Sequence, residues 1–221
     1  MTAPIQARDT SAELSPDRLT PREVVFGVLL AAASGLAILA HTVGPVPLSF
    51  AAPFVVLPTA SVLVGILLMR RRLYPRLHVF AGNLMAGAKW GFVATLFYDA
   101  IRALLKLAFG FSFNPYRAMP IFGNLITGLP AEHGLAVATG WLYHFWNGVS
   151  FGMMFALVRP VGGPLAGFVW AMVLQGLMMA VYPAFLQARL SDVGFLATGL
   201  VGHGMWGVVL GGGVRKERLS A

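Results

Sequence analysis

The chain has 221 residues, of which 57% are hydrophobic and only 11% charged, and its mean hydropathy is strongly positive. Such a chain cannot cover a water-exposed surface with polar groups, which excludes an ordinary soluble domain and points to an integral membrane protein. The absence of cysteine excludes disulfides, thiolate metal sites and a cysteine nucleophile. The net charge of +8 does not indicate nucleic acid, because the cations sit at the ends of apolar segments, where they orient helices and meet anionic lipid.

Residues 1–23 mix acids and bases around no apolar run. They read as a solvated, disordered cytoplasmic tail and not as a cleavable signal peptide. "TPRE" then opens a helix, with Thr20 as N-cap, Pro21 at the first helical position and Glu23 closing a capping box. About 20 apolar residues cross a bilayer as a helix, and six segments qualify: about 24–43, 48–69, 79–100, 135–158, 164–185 and 193–214. The first two, with the basic loop after them, make an N-terminal unit over 24–77. The other four form a core over 78–214, followed by a basic tail at 215–221. Pro53 and Pro58 are placed to kink the second segment. His41, beside "GPVP", falls at a boundary and is expected to be solvated.

With the N-terminus inside, eleven Lys and Arg lie on the inner side and four on the outer, with Lys89 left inside a helix. This asymmetry predicts an all-α polytopic protein of the bacterial cytoplasmic (inner) membrane, with six transmembrane helices and both termini cytoplasmic. Its strongest anchor is "RRRLYPR", whose Arg70, Arg71, Arg72 and Arg76 are expected to meet anionic lipid headgroups. In the outer connection, 101–134, Asp99, Arg102 and Lys106 share one helical face, which predicts an interfacial amphipathic extension of the third helix. The apolar stretch within 117–130 is too short to span, and reads as a re-entrant or surface-lying segment or a plain loop.

Two helices carry the same stripe. Gly140, His144, Gly148 and Gly152 on the fourth match Gly199, His203, Gly207 and Gly211 on the sixth, each step being four residues. Such spacing keeps all four on one slowly drifting face. The third helix has a related stripe of Asn83, Gly87, Gly91, Thr95 and Asp99, and the fifth has Gly167, Ala171 and Gln175. His144, Gln175 and His203 fall within about one turn, ~5 Å, of the same depth. The plain reading of these stripes is helix packing, with the histidines satisfied by Gln175, Asn147 or backbone. The sharper reading is a functional interior, because ionisable groups inside a membrane usually face the bundle core and mark a pathway or ligand site.

"NGVSFG" contains the G-x-S-x-G letters of a hydrolase elbow, but an elbow needs a strand-to-helix turn and this stretch lies inside a spanning helix. Ser150 is six residues from His144, about 240° around the helix. Phe151 also interrupts the G-x-S-G of a rhomboid-type protease. No covalent chemistry is therefore expected. Bis-histidine ligation of haem b by His144 and His203 is an alternative, and a metal there would have to recruit Asp99 or Glu132. A proton or small-solute path could run from Glu132 and His133 through Asp99, then His144, Gln175 and His203, to Asn83 and His78. Lys89 is expected to snorkel to the inner headgroups, a buried partner being the alternative. Trp90, Trp141, Trp146, Trp170 and Trp206 are expected to face lipid or neighbouring helices.

Residues 78–218 carry "HFWNGVSFGMMFALV", "GPLAGFVWAMVLQG" and "GHGMWG" ahead of a basic tail. In these motifs and in helix order the stretch resembles the uncharacterised bacterial inner-membrane proteins of the YagU type. The resemblance implies a four-helix core preceded here by two further helices, draws attention to His144 and His203, and implies an association with acid resistance. Together these readings predict a non-enzymatic membrane protein suited to proton or small-solute permeation. The competing classes are a haem- or metal-binding redox subunit and a structural subunit that docks a second copy or a membrane-complex partner.

Overall fold

The computed structural model describes residues 19–44, 46–72, 75–186 and 188–220, and among these residues the secondary structure is helical without strands. Helix α1 (Pro21–Val43) starts at the expected capping box. The Glu23 amide donates to Thr20 Oγ1 at 3.3 Å, and Glu23 Oε2 accepts from the Thr20 amide at 2.7 Å. Helix α1 thus begins within the 1–23 stretch, and the tail expected over 1–18 lies outside the described residues.

The second apolar segment is one bent rod of α2 (Leu48–Ala51), a π turn (Ala52–Val56) and α3 (Leu57–Met69), followed by a 3-10 turn at Arg70–Arg72. Pro53 and Pro58 cannot donate to the helical ladder, and the wider turn takes up the mismatch. Then come α4 (Pro75–Phe109), α5 (Ala118–Thr127), α6 (Gly134–Val158), α7 (Pro164–Leu186) and α8 (Val193–Leu219).

The third helix continues past 100 to Phe109, the extension expected of it, so the connection to α6 is shorter than 101–134. The basic tail from 215 is helical through Leu219, because Glu217 and Arg218 find partners on other elements: Glu217 accepts from Lys89, and Arg218 Nε donates to the Pro160 carbonyl.

Helix α4 is the centre of the bundle. It packs against α6 on one side and α8 on the other; α7 lies on α8, and α5 and α1 lie on α6. Helix α5 runs antiparallel to the start of α6, with Gly123 against Ala136 and Gly140 against Met119. The segment after α4 therefore folds back against the bundle, and Ala118–Thr127 is a helix packed on α6 and not a plain loop. Its turns are made by Gly110 and Gly128, both with positive φ.

Three apolar clusters fill the interior: one around Met119, Phe122 and Tyr143, one around Ala94, Phe155 and Leu210, and one around Leu63, Leu84 and Met153. The outside exposes Leu36, Leu68, Phe97, Leu142, Leu165 and Leu177, a belt that suits hydrocarbon and not water. Four rods, Pro21–Val43, Leu48–Met69, Pro164–Val181 and Val193–Leu219, are long and apolar enough to cross a membrane. Helices α4 and α6 exceed the length, at 35 and 25 residues, but carry the polar residues of the bundle interior.

Candidate functional site: a polar cavity between α4, α6, α7 and α8

The first and second clusters leave a cavity of about 90 Å³ between them. Thr95, Tyr98 and Arg102 of α4 form one wall; their i, i+3, i+7 spacing puts them on one helical face. His144 and Asn147 of α6, Gln175 of α7 and His203 of α8 complete the polar lining. Phe113, from the connection after α4, and Met119 and Phe122 of α5 line the cavity near Arg102. At the opposite end, the Trp206 indole donates to Thr95 Oγ1 at 3.2 Å. A volume of this size holds a few waters or a small solute.

The two histidines share the cavity but not their partners. The Nε2–H of His144 donates to Asp99 Oδ2 at 3.0 Å, the tautomer that an acceptor-only carboxylate requires. His203 Nδ1 donates to the Gly199 carbonyl at 2.9 Å, which leaves Nε2 as the acceptor of a neutral ring. The Tyr98 ring packs against both, with centroids at 5.9 Å from His144 and 4.8 Å from His203.

Arg102 is the largest departure from expectation. It was placed on an interfacial amphipathic face, yet it is only 7% exposed. Its guanidinium reaches Asp99 Oδ1 at 3.4 Å, donates through Nη2 to the Pro115 carbonyl and lies 4.4 Å from the Tyr98 ring centroid. The chain folding back at Pro115 is what buries it. Tyr116 Oη donates to the Asp99 backbone carbonyl at 2.7 Å. Its phenol is pushed above the usual range by burial first and by the Asp99 carboxylate second, against the opposing pull of Arg102, so it stays a neutral donor. A buried cation is tolerated only when paired and hydrogen-bonded. Two groups on the lining lack a protein partner: the Arg102 Nε–H and Asn147 Oδ1.

The remaining sequence candidates lie elsewhere. Asn83 is buried on α4 but does not line the cavity, and its Oδ1 has no partner. His78, Glu132 and His133 are exposed, and His133 caps α6 by accepting from the Leu135 amide. Lys89 has a partner, but an exposed one: Nζ meets Glu217 Oε2 at 2.7 Å, with side chains 51% and 40% accessible. Ser150 is fully buried against α1, accepting from Ser34 Oγ and donating to the Trp146 carbonyl. That placement leaves it no role as a nucleophile.

The glycines mark close approaches. A Cβ on Gly152 would strike the Gly87 carbonyl and Gly91 Cα, and one on Gly91 would strike the Gly148 carbonyl, so α4 and α6 touch backbone to backbone. Gly207 and Gly211 meet Gly167 of α7 and Gly163 of the loop before it in the same way. Gly199 lies against the Gln175 amide.

No cluster of three or more His, Asp or Glu capable of holding a metal occurs among the described residues. For haem, His144 is already engaged by Asp99, and the space between the imidazoles is far below the ~300 Å³ and more of ordinary cofactor sites. The residues as arranged do not fit that macrocycle. Compared with known families, curated proteins and solved structures, the chain matches none.

Proposed function

We propose that the chain is a six-crossing protein of the bacterial inner membrane, with both termini cytoplasmic, whose cavity serves proton or small-solute permeation without covalent chemistry. The crossings beyond the four most apolar rods are α4 and α6, whose Thr95, Arg102, His144 and Asn147 face the bundle interior. The orientation rests on the excess of Lys and Arg on the side of Arg70–Arg72. The observation that carries the functional reading is the partly open pocket inside the bundle at which His144, His203, Gln175 and Asn147 converge. Polar groups inside a membrane bundle mark pathways or sites.

Beyond the Trp206–Thr95 bond the next turns of α4 and α6 are sealed by glycine contacts, so passage in that direction requires movement there. Glycine faces, which lack interlocking side chains, are where such sliding costs least. A link to acid stress, implied by the YagU-type resemblance, fits this reading and is proposed with it.

The test is reconstitution of the full chain in liposomes with a trapped pH-sensitive dye. An imposed pH gradient should collapse faster than in empty liposomes. Purified protein showing a Soret band that disappears on replacing either His144 or His203 would overturn the reading in favour of a redox subunit.

A further inference from the structure

A second concavity lies at the other end of the molecule, outside the proposed pathway. It has a volume of about 560 Å³ and is formed where the end of α6, the start of α7 and the last turns of α8 meet. Its floor and walls are apolar, with Leu165, Val169 and Val173 in steps of four along α7 and Trp170 beside them. Those three aliphatic side chains are 76%, 55% and 56% exposed. Its rim carries two arginines, Arg159 and Arg215.

The loop between α6 and α7 builds this arrangement. Gly162 and Gly163 both adopt positive φ, and the Gly163 amide donates to the Gly211 carbonyl at 2.7 Å. A Cβ on Gly162 would strike the Arg215 amide, so only glycine lets the loop approach α8 this closely. The result sets Arg215 beside the first turn of α7, where backbone N–H groups lack helical acceptors. The nearest acid on α8, Glu217, is taken by Lys89 and Trp90 of α4, and Arg218 is held by Pro160. The charge left at the rim is therefore positive. Trp170 also carries an indole N–H with no protein partner.

We infer that this groove binds an anionic phospholipid, with its phosphate between Arg159 and Arg215 at the α7 N-terminus and one acyl chain along Leu165, Val169 and Val173. Charge at one end and an apolar channel running away from it match the two ends of that molecule and of no small soluble anion. The inference rests on the membrane placement proposed above but not on permeation.

Native mass spectrometry of the full chain in detergent, titrated with phosphatidylglycerol, phosphatidylcholine or inorganic phosphate, tests it. Phosphatidylglycerol should be retained in preference to phosphatidylcholine, and the Arg159→Gln/Arg215→Gln double variant should lose that preference, a change of about tenfold or more for two basic residues. Val169→Trp, which fills the groove and keeps both charges, should lose retention as well. The Arg22→Gln/Arg189→Gln control, which removes two exposed arginines outside the groove, should keep it within about twofold. Equal retention of the two lipids, displacement of phosphatidylglycerol by inorganic phosphate, or an equal loss in the Arg22/Arg189 control would overturn the assignment.

Discussion

The stripes on α6 and α8 have the same letters at the same spacing, yet they do different work. On α6, Gly148 and Gly152 bring α4 to backbone contact and Gly140 receives α5; on α8, Gly207 and Gly211 receive α7. Helix α8 meets α4 through residues outside its stripe, Gly202 against Tyr98 and Gly213 against Trp90. The histidines diverge too, His144 being tied to a carboxylate on α4 and His203 to its own helix. Spacing of four glycines specifies that a helix will approach closely, but not which helix. A polar group on such a face is given its role by whatever the partner presents.

The largest expected effect breaks the link between the stripes. Arg102 lies against Gly202 of α8 and holds the Asp99 that holds His144. Arg102→Ala leaves a buried carboxylate and the Pro115 carbonyl short of a donor, and should destabilise the fold by about 3–5 kcal/mol, read as a fall in detergent melting temperature.

Gly152→Leu should cost about 3 kcal/mol by forcing α4 and α6 apart. Gly82→Leu on the same α4, where a side chain meets open space, should stay within about 0.5 kcal/mol. Gly211→Leu sharpens the comparison further. It should loosen α7 and raise hydrogen exchange across 164–186, while α4 and α6 stay protected.

The smallest effect belongs to Lys89→Ala. Its ion pair with Glu217 is exposed on both sides, so the melting temperature should reflect about 0–1 kcal/mol at most. A larger loss would mean that the end of α8 depends on this contact.

Part of the frame was legible. The Thr20–Glu23 box, the all-helical fold and the four most apolar rods follow from local chemistry and periodicity. Spacing placed His144, Gln175 and His203 at one depth, but that they line one pocket depends on helix order, which spacing does not carry. Arg102 was not legible as a buried cation. Periodicity placed it on a face with Asp99 and Lys106, but whether that face meets water or protein depends on the chain folding back at Pro115, a tertiary event. The one signal available was its position seven residues after Thr95, continuing the polar stripe. The pairing of Lys89 with Glu217 was not legible for a related reason, since the two are 128 residues apart. Asn83 matched the stripe in spacing yet lies outside the cavity, because the glycine contacts of Gly87 and Gly91 seal α4 against α6 between it and the open space.

The central claim is that the glycines of the stripes hold the fold while the two imidazoles serve a path. The most direct measurement compares pH-gradient collapse in liposomes holding wild type, His144→Ala or His203→Ala, each matched for amount and melting temperature. His144→Ala removes one arm of the Asp99 network and the ring contacts with Tyr98 and Trp141, and His203→Ala a bond to its own helix and the edge contact with Tyr98, about 1–3 kcal/mol each. The account predicts well-folded variants whose flux falls to the level of empty liposomes. Wild-type protein without flux, together with equal loss of folding in both variants, would contradict it and leave the histidines as packing residues.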